Sequence, residues 1–144
     1  MQFLAASALL ALLPSVAFAS PMVTPRASAW YFLNVSHACD AADTSCTWSF
    51  AIDTTDGSGK AVVPCSFTVK GSPASQTDLK APGATCGPYT VTAGWSGQFG
   101  PGNGFTVLAV IDYANNLRSY PSWPDSALTN GKVVATSNFP VYNN

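Results

Sequence analysis

The chain has 144 residues, of which 9% are charged, with seven Asp, no Glu, six Lys plus Arg and a net charge of −1; a typical soluble domain carries about 25% charged residues. Such a surface has no basic field to hold nucleic acid or anionic lipid and forms no acidic tail. Its solubility rests on Ser, Thr, Asn and Gly, and its partners are met through neutral polar and aromatic groups.

Residues 3–16 form an unbroken apolar or small-residue stretch, closed by Ala17-Phe18-Ala19. This is the apolar region and Ala-x-Ala cleavage site of a secretory signal peptide, although its start carries no Lys or Arg. A membrane span needs about 20 apolar residues; Pro14 interrupts this run, and no later segment qualifies. The expected organisation is a signal peptide over 1–19, a flexible Pro-containing lead over 20–28 and one secreted domain over 29–144. A pro-segment ending at Arg26 is an alternative for the lead, carried by that one residue.

From Trp30 onward the hydrophobic period is two. A first strand covers 30–35. Cys46, Trp48, Phe50 and Ile52 then alternate with Thr47, Ser49 and Ala51, as a half-buried strand does. The same pattern returns at Cys65, Phe67 and Val69, and at Tyr89, Val91, Ala93 and Trp95. The run 105–113 is apolar on both faces apart from Thr106 and Asp112, which places it centrally in the sheet. Shorter strands are expected over 117–120 and 132–135. Asp56-Gly57-Ser58-Gly59 is a hairpin signal, Gly100-Pro101-Gly102-Asn103-Gly104 a sharp reversal and Asn115-Asn116 a further turn. Residues 71–84, with Pro73 and Pro82, read as the longest loop. Only 125–130 looks briefly helical, between Pro124 and Gly131. Seven or so short strands predict an all-β, single-domain antiparallel barrel or sandwich.

The four cysteines all lie in the exported part, and an even count there reads as two disulfides. A zinc site lacks the C-x-x-C spacing it needs. Three pairings are open. Cys39–Cys46 and Cys65–Cys86 is preferred, because each closes the nearest loop between strands, and chain entropy makes them worth about 2.5 and about 3.4 kcal/mol.

Catalytic and cofactor patterns are sparse. His37 is the single histidine, and the chain has no nucleophile elbow for a Ser-His-Asp triad. Asp40, Asp43, Asp53, Asp56 and Asp125 fall in turns, which explains them without chemistry; Asp78 and Asp112 remain, and a pair of facing carboxylates for glycoside hydrolysis is not evident. Asp53-Thr54-Thr55-Asp56-Gly57 looks superficially like a calcium loop but lacks the closing Glu. A secreted copper oxidase of the polysaccharide type would begin with His, where cleavage leaves Ser20. The expectation is a protein with no catalytic residues, metal or cofactor. Trp48 and Trp95 lie on the inward phase of their strands and are expected in the core. Trp123, in the proline-bounded segment 120–124, is the expected exposed aromatic, with Tyr120 and Tyr113 as neighbours of a possible sugar-stacking surface. Asn34-Val35-Ser36 is an N-glycosylation acceptor at Asn34.

Cys86-Gly87-Pro88-Tyr89-Thr90-Val91-Thr92-Ala93-Gly94-Trp95-Ser96-Gly97-Gln98-Phe99-Gly100, followed by Gly104-Phe105-Thr106-Val107-Leu108, resembles the small secreted proteins of filamentous fungi described as hypersensitive-response-inducing elicitors. The Cys39–Cys46 spacing followed by Thr47-Trp48-Ser49-Phe50 looks like the same family, as does Tyr120-Pro121-Ser122-Trp123-Pro124-Asp125. The resemblance covers about 30–135 and leaves out the tail from Thr136. It implies a compact β-barrel or sandwich with two disulfides, secretion by a fungus, perception by a plant receptor, dimerisation, and a distant kinship to the major Alternaria allergen. It brings no catalytic residues. The cerato-platanins, also small and four-cysteine, have an Asp-Gly-x-Asn-Gly motif that is missing here. Two functions follow as expectations: a secreted elicitor that acts by being recognised, and a carbohydrate-binding protein of the cell wall.

Overall fold

A computed structural model describes residues 29–143; the signal peptide and the lead expected over 1–28 lie outside the described residues. Nine antiparallel strands follow in order: β1 (Ala29–Cys39), β2 (Ser45–Asp53), β3 (Val63–Lys70), β4 (Leu79–Cys86), β5 (Tyr89–Ser96), β6 (Phe105–Asp112), β7 (Leu117–Ser119), β8 (Ser122–Pro124) and β9 (Ser137–Asn143). They pair as one sheet in the order β3-β2-β1-β9-β7-β6-β5-β4, with β8 beside β6. The two end strands of that path meet. Cys65 on β3 and Cys86 on β4 are disulfide-bonded with Cα atoms 5.1 Å apart, about the spacing of neighbouring strands. The result is a nearly closed β-barrel.

The second disulfide, Cys39–Cys46, clips the β1–β2 hairpin, where the two cysteines face each other in register. Both bonds match the nearest-loop pairing. No cysteine is left free.

The interior follows from alternation. Cys46, Trp48, Phe50 and Ile52 of β2 point inward, as do Cys65, Phe67 and Val69 of β3 and Leu108 and Val110 of β6. On β1 the phase changes midway: Trp30 and Phe32 are buried, Asn34 is exposed, and Val35 is fully buried. The cause is a bulge between Leu33 and Ser36, with Asn34 in the left-handed region at φ 53°, a conformation that Asn tolerates better than most residues. One extra residue turns the odd positions inward from there on. The bulge therefore faces His37 with Trp48 and Cys39 with Cys46.

Four expectations need correction. The supposed loop over 71–84 contains a 3₁₀ turn, Ala74–Gln76, and most of β4, whose pairing with β5 is interrupted by an irregularity between Leu79 and Ala84 around Pro82. Polar and proline composition hid a strand that needs only one good edge. The strand expected over 132–135 reduces to a single bridge between Val35 and Val134. The brief helix over 125–130 is two 3₁₀ turns, Asp125–Ala127 and Thr129–Gly131, with Asn130 at φ 57°. The tail forms β9, which joins β1 to β7 and completes the barrel wall.

Candidate functional site

Trp123 is in the core. It is 4% exposed and packs against Phe139 (5.4 Å between ring centroids), Phe32 (6.0 Å) and Trp48 (6.3 Å). The segment read as a rigid exposed loop is an alternating strand in disguise: Ser119, Pro121 and Trp123 are buried, while Tyr120, Ser122 and Pro124 face out. The amide of Leu108 donates to the carbonyl of Pro121 at 2.8 Å, and β8 continues along β6 so that Trp123 lies opposite Thr106. Trp95 departs from expectation in the opposite direction. It is only half-buried, its indole slotted beside Gly104, where an added Cβ would stand 2.9 Å from the ring, and its Nε1–H donates to Asp125 Oδ2 at 2.9 Å.

Of the three aromatic residues expected at the surface, Tyr113 (60%) and Tyr120 (41%) are exposed. They are not brought together: Tyr113 sits in the β6–β7 turn and takes part in no ring contact among the described residues. Tyr120 instead meets Tyr142 of β9, with ring centroids 6.2 Å apart, and the Arg118 guanidinium stands 5.9 Å above the Tyr120 ring. Sequence reasoning missed Tyr142 and Arg118. The available signal was the alternation of Phe139 and Val141 with Pro140 and Tyr142, which Pro140 made look unlike a strand. Asn34 of the glycosylation acceptor is exposed at the β1 bulge.

The histidine and three of the seven aspartates gather at one mouth of the barrel, in an open concavity of about 700 Å³ whose lining includes His37, Asp40, Asp43, Ser75 and Asp125. A serine, a histidine and several aspartates thus share one hollow. Their wiring is structural. Ser75 donates through both N–H (2.8 Å) and Oγ to the Asp43 carboxylate, tying the β1–β2 turn to the 3₁₀ turn at Ala74–Gln76. Asp40 accepts from the amide and hydroxyl of Thr44, each at 2.7 Å. Asp125 is engaged by Trp95. No hydrogen bond joins Ser75 to His37, whose ring lies stacked on Trp48 at 4.3 Å, so the nucleophile–base contact of a triad is not formed. His37, Cys39 and Cys46 present a nitrogen and two sulfurs close together, but both sulfurs are in the disulfide and offer no thiolate for a metal.

Elsewhere the aspartates anchor turns. Asp53, fully buried at the end of β2, accepts from Thr55 N–H (2.8 Å), Thr55 Oγ (2.6 Å) and Gly59 N–H (3.1 Å). That answers the calcium-like pattern: backbone and hydroxyl donors fill the carboxylate. Asp112, also buried, accepts from the amide (3.2 Å) and Nδ2 (2.7 Å) of Asn115 across the β6–β7 turn.

Burial holds the His37 imidazole below its ordinary value of 6.5, partly offset by the carboxylates of Asp125 and Asp43. Unfolding releases it to 6.5, so between the two values the unfolded chain binds the extra proton. This contribution is complete above about pH 6.5 and is lost as pH falls through the lower folded value. Hydrogen bonds depress Asp40, Asp53 and Asp56, chiefly from Thr44, Thr55 and Ser58 respectively; their share is lost only below the ordinary 3.8. Denaturation midpoints measured from pH 8 down to 5 should therefore fall below about 6.5. His37→Phe, which keeps the stack on Trp48, should flatten that fall; an unchanged slope means that His37 is not its source.

No helix among the described residues is long and apolar enough to cross a membrane. A sequence model of the family described as Effector TSP1 matches residues 31–143, which is nearly the whole described barrel, β9 included. A protein named Effector TSP1 from Hypocrea virens (strain Gv29-8 / FGSC 10586) is 39% identical over 126 residues, covering 84% of this chain and 83% of that protein. The fold, the paired cysteines and these two matches together place the chain in the Effector TSP1 family.

Proposed function

We propose that this protein is a secreted fungal effector that acts as an elicitor: plant hosts recognise its folded surface, and it turns over no substrate. The observation that carries this reading is membership of the Effector TSP1 family across the entire barrel. The wiring of the mouth supports the non-catalytic part, since Ser75, Asp43 and Asp40 are engaged in holding turns together and Asp125 is engaged by the Trp95 indole. Residues 1–19, with their Ala-x-Ala end, supply the route out of the cell.

The test is infiltration of leaves with the protein secreted from its full-length chain. A defence response or local cell death is expected, and it should persist in Asp125→Asn and His37→Phe variants. Reduction and unfolding beforehand should abolish it. A complete lack of response across several hosts overturns the elicitor reading; a response lost in folded His37→Phe protein overturns the non-catalytic part.

A second reading, binding of wall carbohydrate, loses Trp123 as its anchor. The exposed pair of Tyr120 and Tyr142 supports it instead.

A further inference from the structure

The outer face of the β7–β9 pair carries a group of side chains that the mouth of the barrel does not use. Arg118 and Tyr142 are directly opposed across the two strands. Alternation places Tyr120 on the same outward face as Arg118, and Pro140 on the same face as Tyr142. These four residues and Asn143 line a hollow of about 370 Å³. Tyr120 and Tyr142 are 41% and 50% exposed, with rings 6.2 Å apart. The platform is stiff, because rings and a proline lose little rotamer freedom on binding.

Arg118 sets the charge. It forms no ion pair with any described residue, and none of the seven aspartates lines this hollow. Its buried Nε has no hydrogen-bond partner, so among the described residues the guanidinium is positioned by packing against Tyr120 and not by a carboxylate. In a chain with so few cations, an arginine that has no ion pair among the described residues and lies beside two exposed tyrosines is a specific combination. A guanidinium takes a carboxylate through two parallel N–H donors, while tyrosine rings take the flat C–H face of a pyranose and add an O–H at the rim. A hexuronic acid offers both on a single ring.

We infer that the Arg118–Tyr120–Tyr142 face is a binding site for uronate-containing polysaccharide, with the sugar faces on the two tyrosines and a carboxylate on Arg118. This rests on the carbohydrate-binding reading and narrows it. It is independent of whether plants respond to the protein.

Calorimetric titration of the secreted protein with an α-1,4-linked galacturonic acid oligosaccharide should give saturable binding that weakens as salt rises from 50 to 500 mM. A neutral glucan oligosaccharide of equal length and a Glu-rich peptide of equal charge should each bind at least tenfold more weakly. Arg118→Gln and Tyr142→Ala should each cost about tenfold in affinity, and Arg118→Lys should restore only part of it, because an ammonium lacks the fork. Chemical-shift mapping on the unaltered protein should place the perturbations at residues 118, 120, 140 and 142, and this check does not depend on any variant folding. Absence of saturable binding to the uronate, equal binding of the glucan or the peptide, or a shift map centred elsewhere overturns the proposal. If glucan binds at this face and uronate does not, the carbohydrate reading stands and the uronate assignment falls.

Discussion

Replacing Trp123 by alanine is expected to destabilise the barrel by about 3–5 kcal/mol, the usual cost of truncating a buried large aromatic. The size follows from its surroundings: three aromatic rings, those of Phe32, Trp48 and Phe139, lie against it, and a close-packed interior relaxes only partly into a vacated volume. Against a total of about 5–15 kcal/mol for a domain, such a loss brings the variant close to unfolding at growth temperature. Trp123→Phe should behave very differently. The indole Nε1–H is buried without a hydrogen-bond partner, a situation that costs about 1–3 kcal/mol. Phenylalanine removes that group while keeping much of the apolar contact, so its net effect should stay within about 1 kcal/mol of the parent. Guanidinium denaturation curves decide both. If Trp123→Ala keeps parental stability, the residue is not a core residue and the account of β8 given above is wrong.

The second large effect concerns the seam. Replacing Cys65 and Cys86 together by serine should cost about 3.4 kcal/mol from the 22-residue loop they close, against about 2.5 kcal/mol for Cys39 with Cys46. The two losses differ in kind as well as in size. Cys39 and Cys46 join strands that are already hydrogen-bonded neighbours, so without that bond the hairpin still pairs. Cys65 and Cys86 join β3 to β4, the two ends of the sheet path. No ladder of backbone hydrogen bonds joins β3 to β4, so without that bond the two edges can part and pair between molecules. Amide exchange in β3 and β4 should accelerate in the seam variant and stay slow in the hairpin variant, and the seam variant alone should aggregate on warming. Equal exchange in both variants would show that other contacts close the barrel.

Several features were open to direct reading because they are local. Period-two alternation at Cys46–Ile52, Cys65–Val69 and Tyr89–Ala93 identified strands and their buried faces, since side chains on a pleated strand can point only two ways. The short spacings between cysteines favoured the pairing that forms. The turn signals at Asp56-Gly57, Gly100–Gly104 and Asn115-Asn116 needed nothing beyond their own residues.

What escaped was set by long-range register. The 120–124 segment looks like an exposed proline loop until β6 is beside it; only that pairing turns Trp123 inward and leaves Tyr120 outside. The tail acquires meaning only between β1 and β7, and that placement alone sets Tyr142 against Arg118. His37 likewise reaches the mouth of the barrel through a one-residue bulge at Asn34. Composition and periodicity settled that this is a sparsely charged, disulfide-braced β protein, because those properties are sums over neighbouring residues. Which aromatic rings form the core and which form a surface was decided by tertiary structure, because shifting the register of one strand by a single residue reverses every side chain on it.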